Sequence, residues 1–359
     1  MNAETIEKRI RAIRRELGKK GINCLVVTKP ANVTYTTGFL GDDSWAVITR
    51  GRVYLVTDSR YTEQAEKECP SCKIVERTDS LAGAVAKIAV KQKLVGTVAI
   101  EKSSSLAQYE QLKKALRARP KAISNIIEDI RSDKDAGETA TIKTAASIST
   151  KALAQTLSYI KPGITESELA GMLDFQMKKL GAKNGFETIV AFGPNASRPH
   201  HQPGKRKLKK PDTVLIDFGA EYKGYHSDIT RCFCLGRPTS FYQKVFNVVE
   251  QAQAAAIRLI KDGANMIKVD AAAREVIGKS GLPVYGHGSG HGIGLEIHEN
   301  PFLKPDGKGR LKAGQILTIE PGIYIPGKLG VRLEDDVLVT ETGSRIITSK
   351  CPHFPYQIG

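Results

Sequence analysis

Five residues of this 359-residue chain carry the chemistry of a divalent-cation site: Asp217, Asp228, His291, Glu320 and Glu334. They stand in the settings VLIDFGA, HSDITRCF, GHGSGHGIGLEIHE, TIEPGIY and VRLEDDV. Carboxylates are rarely buried without a partner, because desolvation disfavours the charged form. A pair of divalent cations would let all four carboxylates ionise together. Oxygen-dominated ligation with one imidazole suits Mn²⁺, Co²⁺, Fe²⁺ or Zn²⁺ better than a cysteine-rich structural zinc site. Two such ions roughly 3.5–4 Å apart share a bridging hydroxide and polarise a carbonyl or phosphoryl oxygen.

Strand geometry explains how acids distant in sequence converge. TVLIDFGAEY and YHSDITRCFCL flank Lys223-Gly224, a two-residue hairpin signal. With Tyr222 opposite Tyr225, Asp217 falls opposite Thr230 and Asp228 opposite Gly219. Side chains alternate with period two, so Asp217 and Asp228 are diagonal neighbours on one face. ILTIEPGIYI and VRLEDDVLV, joined by residues 326–330, form a second hairpin on which Glu320 and Glu334 share parity. A one-residue slip there would send the two acids to opposite faces. His287, His291 and His298 lie among Gly286, Gly288, Gly290, Gly292 and Gly294, which permit close backbone approach and argue against a helix.

The elements that must carry these residues follow from periodicity. Ile6, Ile10, Ile13 and Leu17 predict an amphipathic helix over 4–19. Strands are expected at 24–29, 45–50, 53–58, 73–77, 96–101 and 122–127, with helices at 60–68, 80–92 and 104–117. That alternation predicts an α/β domain over residues 1–131. The polar run RSDKDAGE marks a boundary, and residues 132–359 form the second, α+β domain. It opens with a helix over about 137–160, then a helix after Thr165, where Glu168 completes a capping box. Strand-rich blocks at 187–235 and 283–348 enclose helices at 240–261 and 266–280. Each block holds a hairpin bearing two acids, a hint of internal symmetry.

Composition bounds the remaining possibilities. Hydrophobic residues make up 41% and charged residues 26%, ordinary for a soluble globular protein. No apolar run reaches membrane-spanning length, and the charged first twenty residues lack the apolar core of a secretory signal, so a cytoplasmic protein without a membrane partner is expected. Six cysteines include one C-x-x-C, Cys69 and Cys72, with no second pair to complete a zinc site; reduced thiols are expected. The net charge of +16 is scattered apart from KRKLKK at 205–210, which lacks interleaved aromatics and reads as a solvated loop. No specific nucleic-acid partner is expected.

The ligand motifs resemble those of the pita-bread metallopeptidases, specifically the Xaa-Pro group of aminopeptidase P and prolidase. All five positions hold that family's residue types in its order. TYTTGFLGDDSWAVI and LVTDSRYTEQA look like the creatinase-type N-terminal domain of the same enzymes, which methionine aminopeptidases lack. The resemblance implies a creatinase-like α/β domain followed by a pita-bread catalytic domain. It implies two divalent metal ions, with manganese first among the candidates. Asp217 would bind one ion and His291 and Glu320 the other, while Asp228 and Glu334 would contact both. His200, His287 and His298 would hold the substrate and stabilise the tetrahedral intermediate, His200 being preferred to His201 by its offset from Asp217. Arg332 would contact the substrate or a carboxylate ligand.

The activity implied is hydrolysis of the Xaa-Pro bond, in dipeptides or at the N-terminus of short peptides, with a bridging hydroxide as nucleophile and Glu320 as the proton-transferring group. A homodimer is implied, as is a first domain that limits peptide length. Two rival functions are a metal-independent hydrolase of the creatinase type and a catalytically inactive binding module on the same fold. The first relatives generally lack part of the ligand set, which is complete here.

Overall fold

Strand and helix alternate through the first unit of the chain, Met1–Arg131, as the periodicity predicts. The structure is a computed structural model that describes residues 3–353 and 357–358. Strands β1 (Cys24–Val27), β2 (Trp45–Thr49), β3 (Val53–Thr57), β4 (Lys73–Glu76), β5 (Val98–Glu101) and β6 (Lys121–Ile123) form one mixed sheet in the order β4-β3-β2-β1-β5-β6. Helices α1 (Ala3–Lys19), α2 (Pro30–Thr37), α3 (Thr62–Glu68), α4 (Leu81–Lys91), α5 (Leu106–Leu116) and α6 (Ile126–Ser132) complete it.

Two segments depart from the sequence expectation. Helix α2 forms from a β-branched stretch that carries no helical periodicity. Pro30 opens it where a missing N–H is harmless, Gly38 closes it at φ 85°, and burial of Val33, Tyr35, Thr36 and Thr37 overrides their propensity. The strand expected over 122–127 stops at Ile123. Asn125 takes the left-handed conformation at φ 61°, which Asn tolerates, and α6 starts at Ile126.

The second unit, Ser132–Gly359, carries the candidate ligands. Helices α7 (Ala136–Thr156) and α8 (Glu166–Lys179) each begin with a capping box, Asp135 with Glu138 and Thr165 with Glu168. Strands β7 (Lys183–Asn184), β8 (Ile189–Phe192), β9 (Asp212–Phe218), β10 (Ala220–Tyr222), β11 (Tyr225–His226) and β12 (Ile229–Leu235) follow. Helices α9 (Ser240–Ile257) and α10 (Met266–Lys279) separate them from β13 (Gly290–Gly292), β14 (Glu299–Leu303), β15 (Ile316–Ile319), β16 (Gly322–Ile325), β17 (Leu329–Arg332), β18 (Asp335–Val339) and β19 (Ser344–Ile346). A helix pair followed by strands therefore occurs twice.

Period-two burial sets the direction of the polar residues. Val214, Ile216 and Phe218 of β9, with Ile229, Phe233 and Leu235 of β12, pack on Leu153 of α7 and Leu169, Leu173 and Met177 of α8. The opposite parity carries Asp217, Asp228 and Thr230. In the other half, Leu317, Ile319, Val337 and Val339 join Val245, Val249, Val269 and Ile277 of α9 and α10. The parity left over there carries Thr318, Glu320, Arg332, Glu334 and Asp336. Each hairpin thus buries its apolar face under its own helix pair.

Both hairpin registers carry through the site. Thr230 pairs with Asp217, and Tyr222 with Tyr225 across a turn in which Lys223 and Gly224 both have positive φ, as a type I′ turn requires. In the second hairpin Ile319 pairs with Asp335 and Gly322 with Arg332, a register that sets Glu320 opposite Glu334. The connecting loop is shorter than expected. Ile325 already pairs with Leu329, so only residues 326–328 form the turn, and Leu329 and Gly330 belong to β17. The two hairpins are stitched together by a bridge between Thr230 and Glu334.

Glycine permits the closest approach. A methyl group on Gly290 would lie 1.9 Å from the Thr318 carbonyl oxygen, inside the strand pair that carries His291. Gly290→Ala is expected to lower unfolding free energy by on the order of 2–3 kcal/mol through this overpacking. Gly343→Ala, whose methyl would meet no atom within 4 Å, should stay within about 0.5 kcal/mol of wild type. Equilibrium urea denaturation of both variants measures the contrast.

Candidate metal centre

All five candidate ligands converge on one cleft of about 470 Å³, together with His200, His201, His287, His298 and Arg332. Asp217 lies at the end of β9, Asp228 just before β12, His291 within β13, Glu320 directly after β15 and Glu334 directly before β18. His291 Nε2 lies 3.7 Å from Asp228 Oδ2 and 3.6 Å from Glu320 Oε1. One donor atom each from Asp228, His291 and Glu334 lies within 4.8 Å of the others, close enough to share one cation. Phe186, Ile189 and Ile297, with Pro199 and Pro203, supply apolar wall.

Electrostatics sets this cluster apart from an ordinary buried network. Burial pushes Asp228 well above the usual carboxylate range, and the neighbouring charges of Glu334, Asp217, Asp336 and Glu320 push it further. Glu334 is raised well above its ordinary value for the same reasons, burial first and then Glu320 and Asp217, against the opposing pull of Arg332 and Thr230. Burial lifts Glu320 to about 8 although Arg332 opposes it. One oxygen each of Asp217 and Asp228 is buried without a hydrogen-bond partner among the described residues. Such a cluster requires protons or cations to neutralise it.

The imidazoles are tuned the opposite way. Burial, with the nearby His298, lowers His291 to about 4, so the ring is neutral, as a metal ligand must be. His291 Nδ1 donates to the Gly292 carbonyl at 3.1 Å, which leaves the Nε2 lone pair facing the carboxylates. Burial also lowers His287 to about 4; its Nδ1 donates to Gly288 O at 2.7 Å and its Nε2 meets the Tyr324 hydroxyl at 3.0 Å. His298 stands edge-on to His291, ring centroids 4.3 Å apart, and is lowered by burial and by His200. His200 is exposed at the cleft wall. His201 is buried, and its Nε2 donates to Glu166 Oε2 at 2.8 Å.

A second layer orients the carboxylates. Thr230 Oγ1 donates to Glu334 Oε2 at 2.6 Å and accepts from Arg332 Nε at 3.1 Å. Arg332 also forms a buried ion pair with Asp217 and donates to Tyr324 OH at 3.0 Å. Asp336 Oδ2 accepts the Asp228 backbone N–H at 3.2 Å. Sequence reasoning did not single out Thr230, Tyr324 or Asp336. The signal for all three is strand parity: Thr230 is Asp217's cross-strand partner, Tyr324 shares Glu320's parity, and Asp336 shares Glu334's.

Similarity to known proteins agrees with this geometry. Residues 9–132 match the creatinase/prolidase N-terminal domain and residues 140–341 match metallopeptidase family M24. An uncharacterized peptidase of Bacillus subtilis, YqhT, is 37% identical over 95% of this chain and 97% of its own. The structure of an Xaa-Pro dipeptidase from Bacillus anthracis superposes with a TM-score of 0.93 at 35% identity, covering 98% of this chain and 100% of that one. An X-Pro aminopeptidase from Thermotoga maritima superposes with a TM-score of 0.90 at 33% identity, covering 97% and 99%. A creatinase-type α/β domain is thus followed by a pita-bread domain, and the chain belongs to metallopeptidase family M24.

Proposed function

We propose that this chain is a metal-dependent Xaa-Pro peptidase, with residues 1–131 as its N-terminal domain and 132–359 as its catalytic domain. One observation carries the reading: four carboxylates and a neutral imidazole share a single cleft that needs cations to ionise. Asp217, Asp228, His291, Glu320 and Glu334 are the residues that would hold two divalent ions, with Mn²⁺ as first choice. The named Xaa-Pro dipeptidase and X-Pro aminopeptidase structures support the substrate class.

Bound there, divalent cations supply Lewis acidity toward the scissile carbonyl and make water a nucleophile near neutral pH. The chain's own residues do the rest. Glu320 receives the proton released as water adds to the carbonyl and returns it to the proline nitrogen, a poor leaving group until protonated. His298 and His200 reach the cleft with donors for the developing oxyanion. Tyr324, accepting from Arg332, aligns His287 beside Glu320, with Nδ1 to Oε2 at 3.9 Å. Proline carries no amide N–H, so selectivity rests on ring shape against the apolar wall of Phe186, Ile189 and Ile297. The proposed enzyme is a homodimer whose N-terminal domain limits peptide length.

The decisive assay strips metal by chelation and adds back Mn²⁺ or Co²⁺, then follows Xaa-Pro dipeptides and Xaa-Pro-Yaa tripeptides. Restored cleavage of either is expected, and the ratio of the two rates separates a dipeptidase from an aminopeptidase; no metal-dependent cleavage of either would sink the proposal. Glu320→Gln should lower kcat by about 10²–10⁴-fold in the same assay. A third expectation concerns pH. Unfolded Glu320 ionises near 4.5, whereas burial holds the folded group protonated up to about 8. Between those values the metal-free fold keeps a proton that the unfolded chain has lost, so its stability falls as pH rises. Melting temperatures of metal-free and metal-loaded protein should therefore diverge from pH 5 to pH 8; a constant gap would contradict the burial of Glu320.

A further inference from the structure

We propose that Glu166 is a positioning residue, whose carboxylate fastens the segment that presents His200 to the substrate. The inference rests on the peptidase reading above. Glu166 is the first residue of α8 and is fully buried. Its Oε1 accepts the Phe192 N–H and the Asn195 amide, both at 2.8 Å. Its Oε2 accepts His201 Nε2 at 2.8 Å and the Gly204 N–H at 3.1 Å. One carboxylate therefore grips both ends of the segment 192–204. The part held between those anchors carries Pro199 and His200 into the cleft, and the Pro199 carbonyl accepts from Arg332 at 3.4 Å.

The arrangement exceeds what starting a helix requires. Helix α8 is already capped by Thr165 with Glu168. Burial pushes Glu166 up, yet the hydrogen bonds from Asn195, His201, Phe192 and Gly204 bring it below the ordinary value, so it is held as the anion. A buried anion with four donors from one segment is a rigid clamp, since losing any donor leaves charge unsatisfied. His201, adjacent to His200 in the chain, is one of those donors; the doublet divides into a ring that anchors and a ring that faces substrate.

Glu166→Gln tests this with the fold nearly isosteric. In either amide orientation the new NH₂ would face two donors, His201 Nε2–H with the Gly204 N–H or the Phe192 N–H with the Asn195 amide. The expected result is a fall of about 10–100-fold in kcat/KM on an Xaa-Pro dipeptide, mainly through kcat. His200→Ala should cost a similar factor, and the double variant no more than about twofold beyond the worse single one, because both remove the same contribution. Losses that multiply in the double variant overturn the proposal. Mn²⁺ affinity by calorimetry should stay within about threefold of wild type, since no candidate ligand lies in the clamped segment; a general unfolding effect would lower it. Hydrogen exchange by mass spectrometry reads the clamp without any substrate. Exchange over 193–204 should accelerate in Glu166→Gln and in His201→Ala, with β12, β15 and β18 unchanged. Unaltered exchange in both variants overturns the clamp. If wild-type protein cleaves no Xaa-Pro peptide, the peptidase reading fails on its own, and the exchange experiment still decides whether Glu166 holds the segment.

Discussion

Mutual repulsion among buried and half-buried carboxylates is the constraint that the cleft of the second unit must meet. Asp217, Asp228, Glu320 and Glu334 line one cleft, and Asp336 adds a fifth carboxylate beside Asp228. Such a cluster survives only if something neutralises it and something stiff holds it. The protein supplies part of the neutralisation through Arg332, paired with Asp217, and Arg231, paired with Asp335 at 2.7 Å. What remains is negative charge that cations complete. The fold therefore anticipates its ions, which is the property expected of a metallopeptidase.

Stiffness comes from two hairpins, each with its apolar face under a helix pair. The Thr230–Glu334 bridge joins them, and Thr230 is in turn the ladder partner of Asp217. Three residues in a row across the sheets thus include two candidate ligands and the hydroxyl that orients one of them. Close backbone contact at Gly290 and Gly330, where a methyl would come within 2 Å of Thr318 O and Ala196 O, leaves little room for the candidate ligands to drift. Rigid placement of this kind is what pre-organised electrostatics requires.

The convergence of the candidate residues on one cleft is legible in the sequence because strand parity is a local property. Asp217 and Asp228 could be placed on one face from the Lys223-Gly224 turn alone, and Glu320 and Glu334 from their spacing. What stayed hidden depends on contacts between elements distant in sequence. The Tyr324 hydroxyl set between His287 and Arg332 and the burial of Glu166 under residues 192–204 are examples. In the first unit, α2 was invisible because tertiary burial overrode β-branched propensity, and the 122–127 stretch changed type at Asn125, where a single left-handed residue ended the strand. The loop of the second hairpin is three residues, 326–328, where the sequence predicts 326–330; parity is the same in both because the added pairs extend the same register.

The bridge between Thr230 and Glu334 spans 104 positions of sequence, and the Arg332–Asp217 pair spans 115. Contacts of that separation close long loops, whose entropic cost must be met before the contact rewards it. The candidate ligands come together only where both hairpins are docked, since each hairpin alone carries two of the four carboxylates. A chain that ends before Glu334 therefore lacks the bridge that joins the two hairpins, so the cleft is a property of the whole second unit and of no shorter segment of it.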